Sequence, residues 1–194
     1  MRDLLVKGSS PFGPTTDMSL SRDHNARMDC LKREYSAKPI VGVGAVMIRN
    51  GEILLVKRGS EPGREKWTIP GGVVELGELV RDTVVREVRE ETNLDVETDR
   101  LIDVVDNLES DERGRWRYHF VILDFFVRLK GGVLKAGSDV LDARWVRLEE
   151  VEKHDLTRIF RDFFRRNREK LEHFDSRKKQ KSGMHIEPLS VEGN

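Results

Sequence analysis

Three glutamates occupy a span of five residues in the segment 86–91, whose sequence is REVREE. In a helix with about 100° per residue, Glu87, Glu90 and Glu91 fall within an arc of roughly 100° beside an arc of valines. Carboxylates at the margin of a buried face are unfavourable without a counter-charge. Mg²⁺ takes oxygen ligands, and one or two carboxylates together with substrate phosphates hold it. Because no histidine or cysteine lies nearby in the sequence, the segment predicts a site for phosphate chemistry rather than a zinc site.

The same segment has a second interpretation. Arg86 and Arg89 lie where they can pair locally with the glutamates, and a helix face with such pairs is usually solvated. From this segment alone, a metal site and a solvated acidic face both stay open.

The glutamates belong to a predicted helix over residues 78–92, which follows the double glycine Gly71-Gly72. Its buried face is expected to contain Val84, Val85 and Val88. Large apolar residues recur at helical spacing between residues 156 and 174, which predicts a second helix that packs an aromatic stripe against a sheet.

Six β-strands are predicted around these helices. Asn50-Gly51 is the strongest short signal for a hairpin and lies between the first two strands. The fifth strand is apolar on both faces, so we expect it to be central, and Gly131-Gly132 is expected to end it. The predicted strands cover residues 40–48, 52–57, 67–69, 101–107, 116–129 and 142–146. This order predicts a mixed α/β layered domain with helices on both faces of the sheet.

The chain has 194 residues, of which 37% are hydrophobic, and this fits one domain with a substantial core. Three parts are expected. Residues 1–38 form an N-terminal arm that is flexible or loosely docked, with a swapped arm or a substrate lid as the alternative. Residues 39–174 form the domain, and residues 175–194 form a polar, disordered tail.

The net charge and the cysteine content limit which partners and which cellular compartment are expected for the protein. The formal net charge is zero, which argues neither for nor against nucleic acid. Cys30 is the only cysteine, so disulfides do not frame the fold and a reducing compartment is expected. No apolar run approaches the roughly 18 residues of a membrane helix, and the N-terminus lacks a signal-peptide core. The expectation is a cytoplasmic protein without a membrane partner.

The double glycine, the helix and its acidic end together resemble the Nudix box, the signature of the Nudix hydrolases. The matching fixed positions are Gly72, Glu78, Arg86, Glu87, Glu90, Glu91 and Leu94. The chain departs from the pattern at Asn93, where the family usually has glycine. That position closes a helix with a left-handed residue, and asparagine is the next-best residue for it. The resemblance covers roughly residues 40–150.

This resemblance implies a Nudix-type α/β/α sandwich with a mixed β-sheet. It also implies hydrolysis of a diphosphate bond in a nucleoside diphosphate linked to another moiety, X, with Mg²⁺ or alternatively Mn²⁺. Glu87 and Glu91 would be the main metal ligands, and the Gly72 carbonyl a further one. Glu90 would be a metal ligand or the base that activates water.

Two further residues of the box have implied supporting roles. Arg86 would hold a ligand carboxylate in place by a bidentate pair. Glu78 would anchor the loop that leads into the helix. Many Nudix hydrolases also place a carboxylate six residues before a strand tryptophan, which here is Asp139 before Trp145. Asp139 is thus a candidate metal ligand or base. The alternative is that Asp139 only initiates a turn in its loop. Asp111 and Glu112 are weaker candidates for the same role.

Contacts to the substrate are predicted from aromatic and basic residues. An aromatic ring that stacks on a base contributes roughly 1–3 kcal/mol. The candidate rings are Trp67 and Tyr118, followed by Trp116 and Phe120, and each has core packing as its alternative. The candidate phosphate contact is Arg58, together with Arg64 and Lys66, for which solvated loop charges are the alternative.

The preferred substrate is a nucleoside diphosphate sugar such as ADP-ribose, although the proline that marks one ADP-ribose subgroup, about fifteen residues past the box, is absent. The alternatives are an oxidised nucleoside triphosphate such as 8-oxo-dGTP, and a non-catalytic nucleotide-sensing domain, which the intact box disfavours. Residues 158–181 contain ten Lys or Arg against four Asp or Glu. The polar face of a helix explains this bias better than RNA does. The expected partner is a small-molecule nucleotide, and a homodimer stays open.

Overall fold

The computed structural model describes residues 33–137 and 139–182, with side chains described through Phe174. The chain divides into two units, Met1–Glu34 and Tyr35–Asn194. The predicted arm over residues 1–38 lies almost wholly outside the described residues and stays a prediction. The fold below is that of the second unit.

Seven strands and two α-helices make up the described part of this unit. In chain order they are β1 (Ile40–Arg49), β2 (Glu52–Arg58), β3 (Trp67–Thr68), β4 (Gly71–Val73), α1 (Val80–Thr92), β5 (Leu94–Ser110), β6 (Trp116–Gly132), β7 (Val140–Arg147), a 3-10 helix (Leu148–Lys153) and α2 (Arg158–Ser182). No described helix is both long and apolar enough to cross a membrane.

Strand β1 is the centre of a mixed sheet. It pairs in parallel with β6 from Ile40–Phe120 to Met47–Val127, and antiparallel with β4 and β2. Strand β5 adds antiparallel to β6, and β7 adds antiparallel to β2. The predicted hairpin closes β1 onto β2, because Asn50 and Gly51 both adopt the positive φ that a tight two-residue turn requires.

Side chains that alternate along β1 belong to two apolar layers on opposite faces of the sheet. Val46 and Ile48 face the layer beneath α2, which also contains the phenylalanines of that helix. Ala45 and Met47 face the opposite layer, beneath α1, with Val84 and Val88 of the helix. Two helices on opposite faces of a mixed sheet form the expected α/β/α sandwich.

Several boundaries differ from those predicted. Helix α1 begins at Val80 rather than at residue 78. Strand β5 begins directly after α1, because Leu94 and Asp95 pair with the glycines at the end of β6, so Gly131-Gly132 continues β6 instead of ending it. Helix α2 continues to Ser182, into the segment where disorder was predicted from residue 175. Residues 183–194 lie outside the described part of the chain.

Candidate active site

Helix α1 carries the acidic cluster, and its packing fixes which residues reach solvent. Val84 and Val88 are fully buried, whereas Val85 is 37% exposed, so the prediction that Val85 shares the buried face is wrong. The helix ends where Asn93 takes a left-handed conformation and donates its backbone N–H to the Arg89 carbonyl. Asparagine therefore fills the position for which the family prefers glycine without changing the backbone.

Arg86 connects three of the glutamates. Its Nε and one terminal nitrogen donate to the two carboxylate oxygens of Glu78, at 2.8 and 2.9 Å. The other terminal nitrogen donates to Glu87 at 2.9 Å and to Glu90 at 3.1 Å. The predicted bidentate pair of Arg86 is thus made with the anchor Glu78, and the two candidate ligands receive single hydrogen bonds.

This network has clear electrostatic consequences. The hydrogen bonds from Arg86 lower the pKa of Glu78 to about 2, although partial burial acts in the other direction. The same partner raises the pKa of Arg86 further above its usual range. Glu78 and Arg86 therefore form a charged pair, and Arg86 at the same time binds the carboxylates of Glu87 and Glu90.

The double glycine lies directly against the acidic cluster. The backbone N–H of Gly71 donates to Glu91 at 3.0 Å. A Cβ atom at Gly72 would overlap the carboxylate of Glu87, so a side chain there would displace this carboxylate from its position against β4. Gly71 and Gly72 thus lie directly against the two main candidate ligands, Glu91 and Glu87.

Glu91 is the carboxylate with the most perturbed proton affinity. Burial raises its pKa to about 8, the Gly71 N–H acts against this shift, and the nearby Glu87 and Asp139 carboxylates reinforce it. Arg58 lowers the pKa in part. Three carboxylates and one guanidinium therefore share a single electrostatic environment.

The loop before β7 brings Asp139 to this environment. The backbone N–H of Gly137 donates to the Glu91 carbonyl at 2.9 Å, and the N–H of Gly59 donates to the Asp139 carbonyl at 3.2 Å. A Cβ at Gly137 would overlap the carbonyl of Glu90. Sequence reasoning missed Gly137, whose only signal is a glycine two residues before the candidate carboxylate.

The weaker carboxylate candidates belong to another region. Asp111 lies in the β5–β6 turn, where it accepts hydrogen bonds from the backbone of Arg113 and Arg115 and from the hydroxyl of Tyr35. Those bonds lower its pKa, the largest effect coming from Arg115. Asp111 therefore stabilises a turn, and the adjacent Glu112 is an exposed residue of the same turn.

The aromatic candidates are mostly packed inside the domain. Trp67 is 7% exposed and makes an edge contact with His154, and Tyr118 is 4% exposed and stacks on Phe120. Burial leaves neither ring a face for a nucleobase, so the stacking role predicted for Trp67 and Tyr118 is corrected to packing. Trp116 is exposed, at the start of β6.

The basic candidates divide into two groups. Arg58 is partly buried, donates from Nε to the Pro62 carbonyl at 2.7 Å, and acts electrostatically on Glu91. Lys66 instead pairs with Asp155 at the surface, and Arg64 is exposed. Only Arg58 is thus placed beside the acidic cluster.

The donor set fits a hard divalent cation. It consists of oxygens, from Glu87, Glu90, Glu91 and the Gly72 backbone, and the burial of Glu91 beside other carboxylates favours a positive partner. Among the described residues, no group of three or more acidic, histidine or cysteine side chains is arranged to hold a metal ion. Arg86 binds Glu87 and Glu90, and the Gly71 N–H binds Glu91. Mg²⁺ commonly needs only one or two carboxylates and completes its shell with waters and substrate phosphates.

Comparison with known proteins places this architecture in a family. Residues 38–166 match the family model for the NUDIX domain. The chain belongs to the Nudix hydrolase family, whose members generally use divalent metal ions and act on small nucleotide substrates.

Two relatives of known sequence differ in the activity that their names state. An ADP-ribose pyrophosphatase from Methanocaldococcus jannaschii is 34% identical over 141 residues, which cover 72% of this chain and 81% of that protein. An 8-oxo-dGDP phosphatase from Homo sapiens is 35% identical over 98 residues, which cover 48% of this chain but only 28% of that protein. Among solved structures, a MutT protein from Methanosarcina mazei is similar with a TM-score of 0.60 and 29% identity, over 69% of this chain and 97% of that one.

Proposed function

We propose that this protein hydrolyses the diphosphate bond of a nucleoside diphosphate sugar, with ADP-ribose as the preferred substrate and Mg²⁺ as the metal. The observation that carries this proposal is the placement of Glu87 and Glu91 against Gly72 and Gly71, with Arg86 holding the neighbouring carboxylates. The relative from Methanocaldococcus jannaschii supports ADP-ribose, because it aligns over most of both chains.

Glu87, Glu91 and the Gly72 carbonyl would hold the metal, and Glu90 would be either a further ligand or the base. When bound, such a cation neutralises charge on the diphosphate oxygens and lowers the pKa of a bound water. Glu91 suits this role because its burial makes an unpaired charge costly, so binding a cation relieves that cost. Mn²⁺ has the same preference for oxygen ligands and is expected to substitute.

Two carboxylates are candidates for the general base. Glu90 has a side chain that is 59% exposed, so it reaches solvent beside the buried ligands, and Arg86 orients it. Asp139 lies on the loop tied to the end of α1 and acts electrostatically on Glu91. Either could accept a proton from an attacking water, and we assign the role to Glu90, because its exposed carboxylate lies on the same helix as the proposed ligands and next to Glu91 in the sequence.

Arg58 is the proposed phosphate contact. Its guanidinium is anchored through Nε to the Pro62 carbonyl, and it lies close enough to lower the pKa of Glu91. A guanidinium fixed at the edge of the acidic cluster can pair with diphosphate oxygens by charge-assisted hydrogen bonds.

A second candidate activity is the hydrolysis of oxidised guanine nucleotides. The 8-oxo-dGDP phosphatase relative favours it, although the aligned part is only 28% of that protein. The same phosphate machinery would serve both activities, since they differ in the nucleoside and in the leaving group.

A substrate panel with Mg²⁺, scored by products, tests the proposal. ADP-ribose should yield AMP and ribose 5-phosphate, whereas 8-oxo-dGDP should yield 8-oxo-dGMP and phosphate. The variant Glu91→Gln should lower turnover by about 10²-fold or more, because it removes a metal ligand. Glu109→Gln, at the exposed end of β5, is the matched control and should keep wild-type turnover.

Two results would contradict this assignment. Unchanged turnover in Glu91→Gln would remove the metal site from α1. Tight binding of a nucleotide, with no cleavage of any member of the panel, would instead favour the nucleotide-sensing alternative.

A further inference from the structure

Helix α1 covers only part of its face of the sheet. Beneath the helix, β1 contributes Val43, Ala45 and Met47 to the apolar layer. Val41 lies two residues before Val43, so its side chain points to the same face, but it is 41% exposed. In the described part of the chain, the helix therefore leaves the end of the sheet where β1 begins open on this face.

The neighbouring strands extend this uncovered area with apolar side chains. Val121 of β6 pairs directly with Val41 and is partly exposed. Val104 of β5 pairs with Leu123, which packs against the layer beneath α1, and Val104 is 50% exposed. Directly paired residues direct their side chains to the same face of a sheet. Three adjacent strands thus present exposed valines on one side.

Leu108 and two polar residues complete the area. Leu108 is 41% exposed and pairs with His119, which lies two residues before Val121 on β6. Asp106 is exposed and pairs with Val121. Together these residues form the open face, which consists of Val41, Val104, Asp106, Leu108, His119 and Val121.

The opposite face of the same strands is closed. Val105, Tyr118 and Phe120 are each 8% exposed or less. Strands β5 and β6 are thus apolar on both sides at this end of the sheet, although the solvated face of an antiparallel pair is normally polar. An exposed apolar patch that includes polar residues is typical of a contact with another protein.

The polar residues of the open face suit a contact between identical surfaces. Within the described part of the chain, the side chains of Asp106 and His119 have neither a hydrogen bond nor an ion pair. An interface with two-fold symmetry joins a surface to itself, so the surface must carry both members of each polar pair. The open face meets this requirement, because Asp106 can accept a hydrogen bond from His119 of another copy.

The charge of the chain also favours a second copy as the partner. The formal net charge is zero, so two copies do not repel each other as a whole. Strand β5 is the terminal strand of the sheet, and it carries Asp99, Asp106 and Glu109. Acids along an edge strand disfavour pairing of that edge with its own copy. A contact between two copies is therefore expected face to face rather than edge to edge.

We propose that the open face binds the open face of a second copy of this chain. Val104 and Leu108 lie in the apolar part of this contact, and Asp106 of each copy pairs with His119 of the other. The side chains of the second copy then cover the end of the sheet that α1 does not reach. None of these residues belongs to the acidic cluster, so the contact is independent of the proposed function.

Analytical ultracentrifugation of the full-length protein without metal or substrate tests this proposal. We expect a monomer–dimer equilibrium with a micromolar dissociation constant. Val104→Lys and Leu108→Lys should each raise that constant by about 100-fold or more, because a two-fold contact buries each new charge twice. Val133→Lys, at a valine that is 77% exposed outside the open face, is the matched control and should keep the wild-type value.

Exchange of the two polar residues tests the pairing itself. Asp106→Lys should raise the dissociation constant by about tenfold, and the added substitution His119→Glu should reverse most of that rise, because opposite charges again face each other. Circular dichroism spectra of all variants should match that of the wild type, since every substituted position is exposed or partly exposed. A double variant that dimerises no better than Asp106→Lys would contradict the pairing.

Three results would overturn the proposal. The first is a wild-type protein that stays monomeric up to millimolar concentration. The second is a dimer that both lysine variants leave unchanged, because its contact would then lie elsewhere. The third is a monomer whose thermal midpoint falls in Val104→Lys but not in Val133→Lys, which would show that another segment of the same chain covers the open face.

Discussion

Arg86 is the residue on which the geometry of the acidic cluster depends. It contacts Glu78 through two nitrogens and reaches Glu87 and Glu90 through the third. A planar guanidinium can bond in several directions at once, whereas an ammonium group is a single point charge on a flexible chain. The planar guanidinium group of Arg86 therefore matters as much as its positive charge.

The variant Arg86→Lys should lower turnover by about 10- to 100-fold and weaken the apparent affinity for Mg²⁺, because the candidate ligands lose their orientation. Turnover measured against Mg²⁺ concentration separates the two effects. The control is Arg89→Lys, on the same helix, where the arginine pairs with the exposed Asp95. Equal effects of the two variants would mean that only the local charge matters.

As the proposed metal ligand, Glu91 is expected to make metal binding depend on pH. In the metal-free protein, burial places its pKa at about 8, above the ordinary value of 4.5. Between these values the folded chain keeps a proton that the unfolded chain releases, so this group makes stability fall as pH rises toward 8. A metal ion requires the carboxylate, so binding must displace the proton below that pH.

We therefore expect the dissociation constant for Mg²⁺ to increase by up to about tenfold for each pH unit below 8. Thermal midpoints with and without Mg²⁺ at pH 6 and pH 8 measure this effect, and the stabilisation by Mg²⁺ should be larger at pH 8. In Glu91→Gln the difference between the two pH values should largely disappear. A wild-type response to Mg²⁺ that is independent of pH would contradict the assignment.

At the scale of elements, the C-terminal cap of α1 ends the helix that carries the acidic cluster and leads directly into β5. Asn93 adopts φ 57° and ψ 22°, and its side-chain amide donates to the Val133 carbonyl at 3.0 Å. Leu94 then enters β5 without an intervening loop. One left-handed residue therefore makes the whole change of direction between the helix and the sheet.

The variant Asn93→Val should lower the free energy of unfolding by about 2–3 kcal/mol. A β-branched residue is strained in the left-handed region, which costs about 1–2 kcal/mol, and the lost amide bond adds about 1 kcal/mol. Asn93→Gly relieves the backbone but loses the same bond, so it should stay within about 1 kcal/mol of the wild type. Urea denaturation gives both values, and equal losses in the two variants would show that the backbone conformation is not the cause.

At the scale of the whole molecule, the order of strands and helices along the chain made the layered α/β fold predictable. Val46 and Ala45 lie next to each other in the sequence and enter opposite layers, as period-two patterning requires. The acidic cluster was predictable for a similar reason, since Glu87, Glu90 and Glu91 are local neighbours on one helix.

What the sequence could not predict depends on contacts between distant segments. Gly131-Gly132 was expected to end β6, but pairing with Leu94 and Asp95 carries the strand through both glycines. The sequence made Trp67 and Tyr118 candidates for stacking on a base, but tertiary packing buries both rings.

The parallel pairing of β1 with β6 also determines the order in which the protein can assemble. Ile40 pairs with Phe120, so the central contact of the sheet closes across the whole segment that carries the acidic cluster. Closing so long a loop costs conformational entropy before the contact stabilises anything, which slows folding. During synthesis, every glutamate of the cluster leaves the ribosome before β6 does. The nascent chain thus exposes the candidate metal ligands as an unsupported acidic segment until the strand that completes the core has been made.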